Sequence, residues 1–332
     1  PFTRLLRPDR YKTLQVNTSG ELTGVGLQIA IDPDSKMLTV IAPIAGTPAD
    51  AAGVSPGDRI LTIDGVATEN LTLDEAAARM RGPIGSTVVL RLERQPDGQI
   101  ETLEIVRDRI ALNPVYAQLK SVEGQPEKHI GYIRLSQFSA NAVEEMTQAM
   151  TRLETEGANA YILDLRNNPG GLLQAGIDIA RLWLKPTSTI VYTVNRQSIL
   201  ESFEASKPPI TDDPLVVLVN PGTASASEIL AGALQDNSRA TLVGDRTFGK
   251  GLIQSLFDLP DDSGLAVTVA KYETPNHRDI NKQGIMPDLA VPQNPIRRDR
   301  LGTLEDQPYK AAVEVLTQNA VVAALNSQPD EK

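Results

Sequence analysis

Two residues of this chain stand in settings suited to acyl-transfer chemistry. Ser225 lies in Pro221-Gly222-Thr223-Ala224-Ser225-Ala226-Ser227-Glu228, and Lys250, 25 residues on, lies in Thr247-Phe248-Gly249-Lys250-Gly251. An apolar run, Leu215–Val219, leads through a Gly-containing turn into a helix of small residues, which places Ser225 at a strand-to-helix corner. Backbone N–H groups at such a corner lack an intrahelical acceptor and can face developing negative charge. The same spacing has a purely structural reading, because Ser225-x-x-Glu228 is a capping box worth about 1 kcal/mol of helix stability. A lysine acts as general base only as the neutral amine, about one part in 2,500 at pH 7 for a pKa near 10.4. Desolvation in an apolar pocket lowers that pKa, and Ala224, Ala226 and Gly249 are small enough to permit such burial. Spacing alone does not establish contact between Ser225 and Lys250.

Alternatives for the same residues are weaker. Gly244-Asp245-Arg246-Thr247-Phe248-Gly249-Lys250-Gly251 matches a phosphate loop until its last position, where Gly251 replaces the hydroxyl that would hold magnesium. The segment after it, Leu252–Leu259, reads as a strand, not the helix a phosphate loop must open. His277 sits in the polar turn Thr274–Asp279 and His129 before a strand, so neither reads as a triad member. Asp164 and Arg166 read as an internal charge pair.

The chain has 332 residues, no Cys and two His. That composition excludes a cysteine nucleophile, a disulfide framework, a cysteine-ligated metal and a three-histidine zinc site. No metal or cofactor spacing is present, so neither is expected. Lys+Arg 32 against Asp+Glu 42 gives a net charge of −10, which opposes nucleic acid and anionic membrane surfaces as main partners. No apolar run approaches the roughly 18 residues of a membrane span, and an integral membrane protein is not expected. The opening at Pro1 shows no leader pattern and reads as a mature or trimmed product.

At about 150 residues per domain the length predicts two domains. Residues 1–18 are polar, carry no complete periodic element, and are expected to be the remnant of an N-terminal segment. Residues 19–109 contain short alternating runs at Val25–Ala30, Met37–Ile41, Arg59–Ile63, Thr87–Leu92 and Glu101–Val106, with short helices at Pro48–Ala52 and Leu73–Met80. Leu112–Lys128 reads as a linker. The rest of 110–332 alternates strands (Gly131–Leu135, Ala160–Leu165, Thr189–Val194, Leu215–Val219) with helices near 142–156, 172–184 and 226–235. A C-terminal helix spans Tyr309–Leu325. The expected class is a multidomain α+β / α/β protein, a small β-rich domain joined to a sheet-and-helix core.

The run Pro48 to Gly65, with its Gly57-Asp58-Arg59-Ile60 turn and strand, resembles a PDZ domain. Gly24-Val25-Gly26-Leu27 then falls where PDZ domains keep their carboxylate-binding loop. Successive N–H groups there suit an anion, and the open strand edge beyond accepts an extended peptide.

The block Leu215–Gln254 resembles the C-terminal processing, or tail-specific, serine peptidases, which join a PDZ domain to a Ser–Lys core; with the PDZ region and Asp279–Asp288 the resemblance covers nearly the whole chain. It implies that Ser225 is the nucleophile, Lys250 the base, Gln254 its support, and Glu228 the acidic residue of the nucleophile helix. Asp164-Leu165-Arg166-Asn167-Asn168-Pro169-Gly170-Gly171 matches the oxyanion segment, which implies donors at the N–H groups of Gly171 and Ala226. The closest branch is the one that trims the photosystem II reaction-centre precursor. The resemblance thus implies an endopeptidase that holds protein C-terminal tails and removes a C-terminal extension, in a thylakoid lumen or periplasm. The alternatives are a general tail-specific quality-control protease of the periplasm and a non-catalytic PDZ scaffold. Oligomeric state is left open.

Overall fold

A computed structural model describes residues 3–19, 21–33, 35–195, 198–292, 296 and 300–326. Two compact units emerge, residues 21–112 and residues 1–20 with 113–332. The larger unit begins with β1 (Arg4–Leu6) and α1 (Pro8–Ser19), residues expected to lack regular structure. β1 pairs antiparallel with a distant strand, Arg4 opposite Ala266, and Leu6 and Tyr11 bury against Ala266. The helix escaped the sequence pattern because Tyr11 is its one buried side chain among those described, too few to mark a 3.6-residue stripe.

The smaller unit contains β2 (Glu21–Gly24), β3 (Leu27–Ile31), β4 (Leu38–Pro43), α2 (Pro48–Ala51), β5 (Arg59–Ile63) and β6 (Val66–Ala67). It continues with α3 (Leu73–Met80), β7 (Thr87–Glu93), β8 (Ile100–Val106) and β9 (Asp108–Ala111). Its main sheet runs β3-β4-β5-β7-β8 with β6 on β5, while β2 pairs β9. Period-two alternation drives one face inward: Val88, Leu90 and Leu92 are buried together with Ile60, Ile63, Ala76 and Met80. A capping box starts α3, with Thr72 N–H on the Glu75 carboxylate at 2.8 Å and Glu75 N–H on the Thr72 hydroxyl at 3.3 Å.

The larger unit resumes with β10 (Val115–Val122), β11 (Gln125–Leu135), α4 (Ala142–Thr155), β12 (Ala160–Asp164), α5 (Leu173–Arg181), β13 (Thr189–Val194) and β14 (Ile199–Glu204). It ends with β15 (Leu215–Val219), α6 (Ala226–Asp236), β16 (Ala240–Gly244), β17 (Leu252–Asp258), β18 (Gly264–Glu273), β19 (Leu289–Ala290) and α7 (Gln307–Asn326). A six-stranded sheet runs β10-β11-β12-β15-β16-β19, parallel from β11 onward. Ile133, Leu163 and Val217 bury on one face with Met146, Trp183 and Leu230 of the α4–α6 region. Ile162, Val216 and Leu218 bury on the other with Tyr309, Ala312 and Leu316 of α7. Burial on both faces is why these strands read as continuous apolar runs. A second sheet runs β1-β18-β13-β14 with β17 on β18.

The segment read as a linker is a hairpin instead: β10 pairs β11 antiparallel from Val115 opposite Leu135 to Ser121 opposite His129. β10 is an end strand of its sheet, and its inward Val115, Ala117 and Leu119 alternate with Tyr116, Gln118 and Lys120. Half-exposed alternation of that kind is easily taken for polar connection. His129 accordingly lies inside β11 rather than ahead of it.

Candidate active site

The loops after β12 and β15 leave the same edge of the parallel sheet, where such folds place their sites. Ser225 adopts φ 59° and ψ −119°, a left-handed conformation that costs a non-glycine residue about 1–3 kcal/mol. Neighbouring contacts hold it there. The Ala224 N–H donates to Asn168 O at 3.0 Å, and the Ser227 hydroxyl donates to the same carbonyl at 3.0 Å. Asn167 N–H donates to Asn220 Oδ1 at 2.9 Å. The Asn167–Gly171 turn is thereby stitched to the turn that carries Ser225.

Gly170 makes the closest approach. At its φ of 94°, a Cβ would lie 2.6 Å from Ala224 O, 2.8 Å from Ser225 Cβ and 2.9 Å from Ala226 N. Gly171 is equally constrained, since a Cβ at its φ of 149° would lie 2.2 Å from Phe138 O. Gln137 Nε2 and Phe138 N–H both donate to Gly170 O at 3.0 Å. Ala226 is the first residue of α6, where the helix offers its N–H no acceptor.

Lys250 arrives on a loop bound to the same place. Phe248 N–H donates to Thr223 O at 3.0 Å. Gly249 packs so tightly that a Cβ would lie 2.8 Å from Gly284 N. The fully buried Glu228 carboxylate is the hub. Its Oε1 accepts from the Thr247 hydroxyl at 2.6 Å and Gly249 N–H at 2.7 Å. Its Oε2 accepts from Ser225 N–H at 2.9 Å and Lys250 N–H at 2.8 Å. So the capping interaction read from sequence also ties the lysine loop, and one oxygen joins the two backbones. Among the described residues no direct hydrogen bond joins Ser225 Oγ to Lys250 Nζ. Burial lowers the Lys250 pKa and Arg4 adds to the lowering, while Glu228 opposes it.

Three contributors lay outside the sequence reading as site residues: Gly170, Thr247 and Tyr272. The first two stand within runs singled out for other residues. Tyr272 lies on β18 and carried no motif, yet its hydroxyl reaches the Lys250 carbonyl at 2.6 Å and the Ser225 carbonyl at 3.1 Å.

Gln254 lies on β17, half-buried and four residues past Lys250. The charge pair read at Asp164 and Arg166 is present and extended. Arg166 donates to both Asp164 oxygens at 2.9 and 2.6 Å and to both Asp306 oxygens at 2.7 Å, all buried. His277 is exposed, contacts Glu273 at 3.1 Å and stacks on Tyr192. No described cluster of His, Asp or Glu could hold a metal ion.

In the smaller unit, Gly24 ends β2 and Leu27 begins β3, which is an end strand of its sheet. Val25 is buried and its carbonyl accepts from Ala49 N–H at 2.9 Å; Gly26 O accepts from Ile44 N–H at 2.8 Å. Gly26 has φ 81°, and a Cβ there would lie 2.3 Å from Thr47 Oγ1.

Comparisons with known proteins match both units. Residues 129–291 match peptidase family S41, and residues 39–94 match a PDZ domain. The chain is 60% identical over 326 residues to a carboxyl-terminal-processing protease of Picosynechococcus, covering 98% of this chain and 78% of that protein. It is 46% identical to the chloroplastic carboxyl-terminal-processing peptidase 2 of Arabidopsis thaliana, covering 89% and 58%. Among solved structures, a photosystem II D1 C-terminal processing protease matches with a TM-score of 0.54 and 41% identity, covering 88% of this chain and 78% of that one. The chain belongs to peptidase family S41, among its carboxyl-terminal-processing members. No described helix is long and apolar enough to cross a membrane.

Proposed function

We propose that the chain is a Ser–Lys endopeptidase that removes a C-terminal extension from a protein substrate. The observation that carries this reading is the single Glu228 oxygen shared by the N–H groups of Ser225 and Lys250. In acylation, neutral Lys250 takes the Ser225 hydroxyl proton as Oγ bonds to the scissile carbonyl carbon. The carbonyl oxygen becomes an oxyanion, held by the N–H groups of Gly171 and Ala226. The C–N bond then breaks, Lys250 returns the proton to the leaving amine, and water repeats the sequence on the acyl-enzyme. The separation of hydroxyl and amine closes with substrate bound, as catalytic hydrogen bonds often do. Gln254 supports the lysine. The Gly24–Leu27 loop takes the substrate's terminal carboxylate while the tail adds to the β3 edge.

The substrate we favour is the photosystem II reaction-centre precursor, in a thylakoid lumen or periplasm. Its support is the 60% identity to a cyanobacterial carboxyl-terminal-processing protease and the likeness to a D1 processing protease. The test is cleavage of C-terminally extended D1 precursor, read by mass spectrometry, with wild type, Ser225→Ala and Lys250→Ala. Wild type should release the extension and both variants should not. Equal cleavage by all three would refute the dyad. Cleavage of unrelated tails at equal kcat/KM would favour a general tail-specific protease.

A further inference from the structure

We propose that Tyr272 is a positioning residue that sets the separation of Ser225 and Lys250 by holding the main-chain carbonyls of both with one hydroxyl. The inference rests on the Ser–Lys reading and adds a residue to it. Tyr272 stands on β18, is 2% exposed, and binds the lysine loop twice. Its N–H donates to Gly251 O at 3.2 Å, and its hydroxyl to Lys250 O at 2.6 Å, with Ser225 O 3.1 Å from the same oxygen. A phenol carries one proton, so the shorter contact holds it and the longer one shares it.

Glu228 does the complementary work, taking the two N–H groups on one oxygen. Ser225 and Lys250 are therefore each held on both sides, N–H by the carboxylate and C=O by the phenol. That double hold matters because Lys250 is flanked by Gly249 and Gly251, residues with little conformational stiffness of their own. Loss of the phenol would leave the carboxylate as the one remaining side-chain tie between the two backbones among the described contacts. Burial, and after it the charges of Glu228 and Asp279, push the Tyr272 pKa well above its usual value. The hydroxyl therefore keeps its proton, and its role as donor, through neutral pH.

Tyr161 supplies an internal control. It is buried in the same core, its hydroxyl bonds Glu154, and it stands at the opposite end of the parallel strands, opposite Leu215. The experiment compares full-length wild type, Tyr272→Phe, Tyr161→Phe and Ser225→Ala on an extended peptide. It measures kcat, KM, melting temperature and the rate of fluorophosphonate labelling of Ser225. Turnover is normalised to the folded fraction from near-ultraviolet circular dichroism, so that loss of fold is not counted as loss of chemistry. Tyr272→Phe should lower kcat roughly 10- to 100-fold, the scale of a small misplacement of reacting groups. Labelling should slow in step and KM should stay within about twofold. Tyr161→Phe should melt lower yet keep wild-type kcat. Wild-type kcat in Tyr272→Phe beside an inactive Ser225→Ala would overturn the proposal alone, as would equal losses in the two tyrosine variants. Turnover retained in Ser225→Ala would overturn the Ser–Lys reading, and the proposal with it.

Discussion

Replacing Glu228 by Gln isolates the charge and acceptor capacity of the hub while keeping its size. The carboxylate accepts four hydrogen bonds, from Thr247 Oγ1 and Gly249 N–H on one oxygen and from Ser225 N–H and Lys250 N–H on the other. A glutamine keeps one acceptor oxygen and turns an NH2 toward the other pair. The hydroxyl of Thr247 can rotate to accept from that NH2, whereas the amides of Ser225 and Lys250 can only donate. The favoured orientation therefore keeps the Ser225–Lys250 tie but strands Gly249 N–H and the Thr247 hydroxyl proton, both of which donated to Oε1. A buried donor without a partner costs about 1–3 kcal/mol. With two such donors and the weaker bonds of a neutral acceptor, we expect a loss of about 2–6 kcal/mol. At the low end this lowers the melting temperature by roughly 4–8 °C for a unit of this size.

The pH dependence has a definite sign. Glu228 raises the Lys250 pKa against the lowering by burial and Arg4. Removing the charge lowers that pKa further, so the ascending limb of the kcat/KM profile moves to lower pH in Glu228→Gln. Urea unfolding and a pH–rate profile on an extended peptide measure both effects. Wild-type stability together with an unmoved or alkaline-shifted limb would refute the reasoning.

Gly170→Ala must place a Cβ within 2.6–2.9 Å of Ala224 O, Ser225 Cβ and Ala226 N at φ 94°. We expect about 100-fold lower kcat/KM, from displacement of Ser225 and the proposed oxyanion donors, and steady-state kinetics equal to wild type would rule this out. Lys250→Met should be inactive yet melt higher than wild type at pH 7. In the unfolded chain the amine keeps its proton to about pH 10.4, while burial lowers the folded pKa. Between the two values the unfolded state binds more protons, so wild-type stability rises with pH there. The advantage of Lys250→Met must therefore shrink as pH approaches 10, and thermal melts showing a constant gap would contradict it.

Much of this molecule is legible in local pattern. Ser225-x-x-Glu228 at a strand-to-helix corner, the apolar runs of β12 and β15, and the stripe of α7 all follow from periodicities of one element at a time. The glycines at 170, 171 and 249 announce close approach of backbones, though not which backbones. Other parts were not legible for physical reasons. α1 buries one described side chain, and β10 hides its alternation at a half-exposed edge. β14, β16 and β18 were not read as strands, and β18 carries Tyr272.

Residue types alone bounded the chemistry available: with no Cys and two His, nucleophilic or acid–base work falls to hydroxyls, carboxylates, lysines or two imidazoles. Only the tertiary structure could decide which distant segments are tied together. Glu228 is three residues from Ser225 in sequence but bonds Gly249 and Lys250 across the fold. Tyr272 is 47 residues from Ser225 and still reaches its carbonyl. Hydrogen bonds between distant segments depend on how sheets and loops close in space, and no local periodicity encodes that closure.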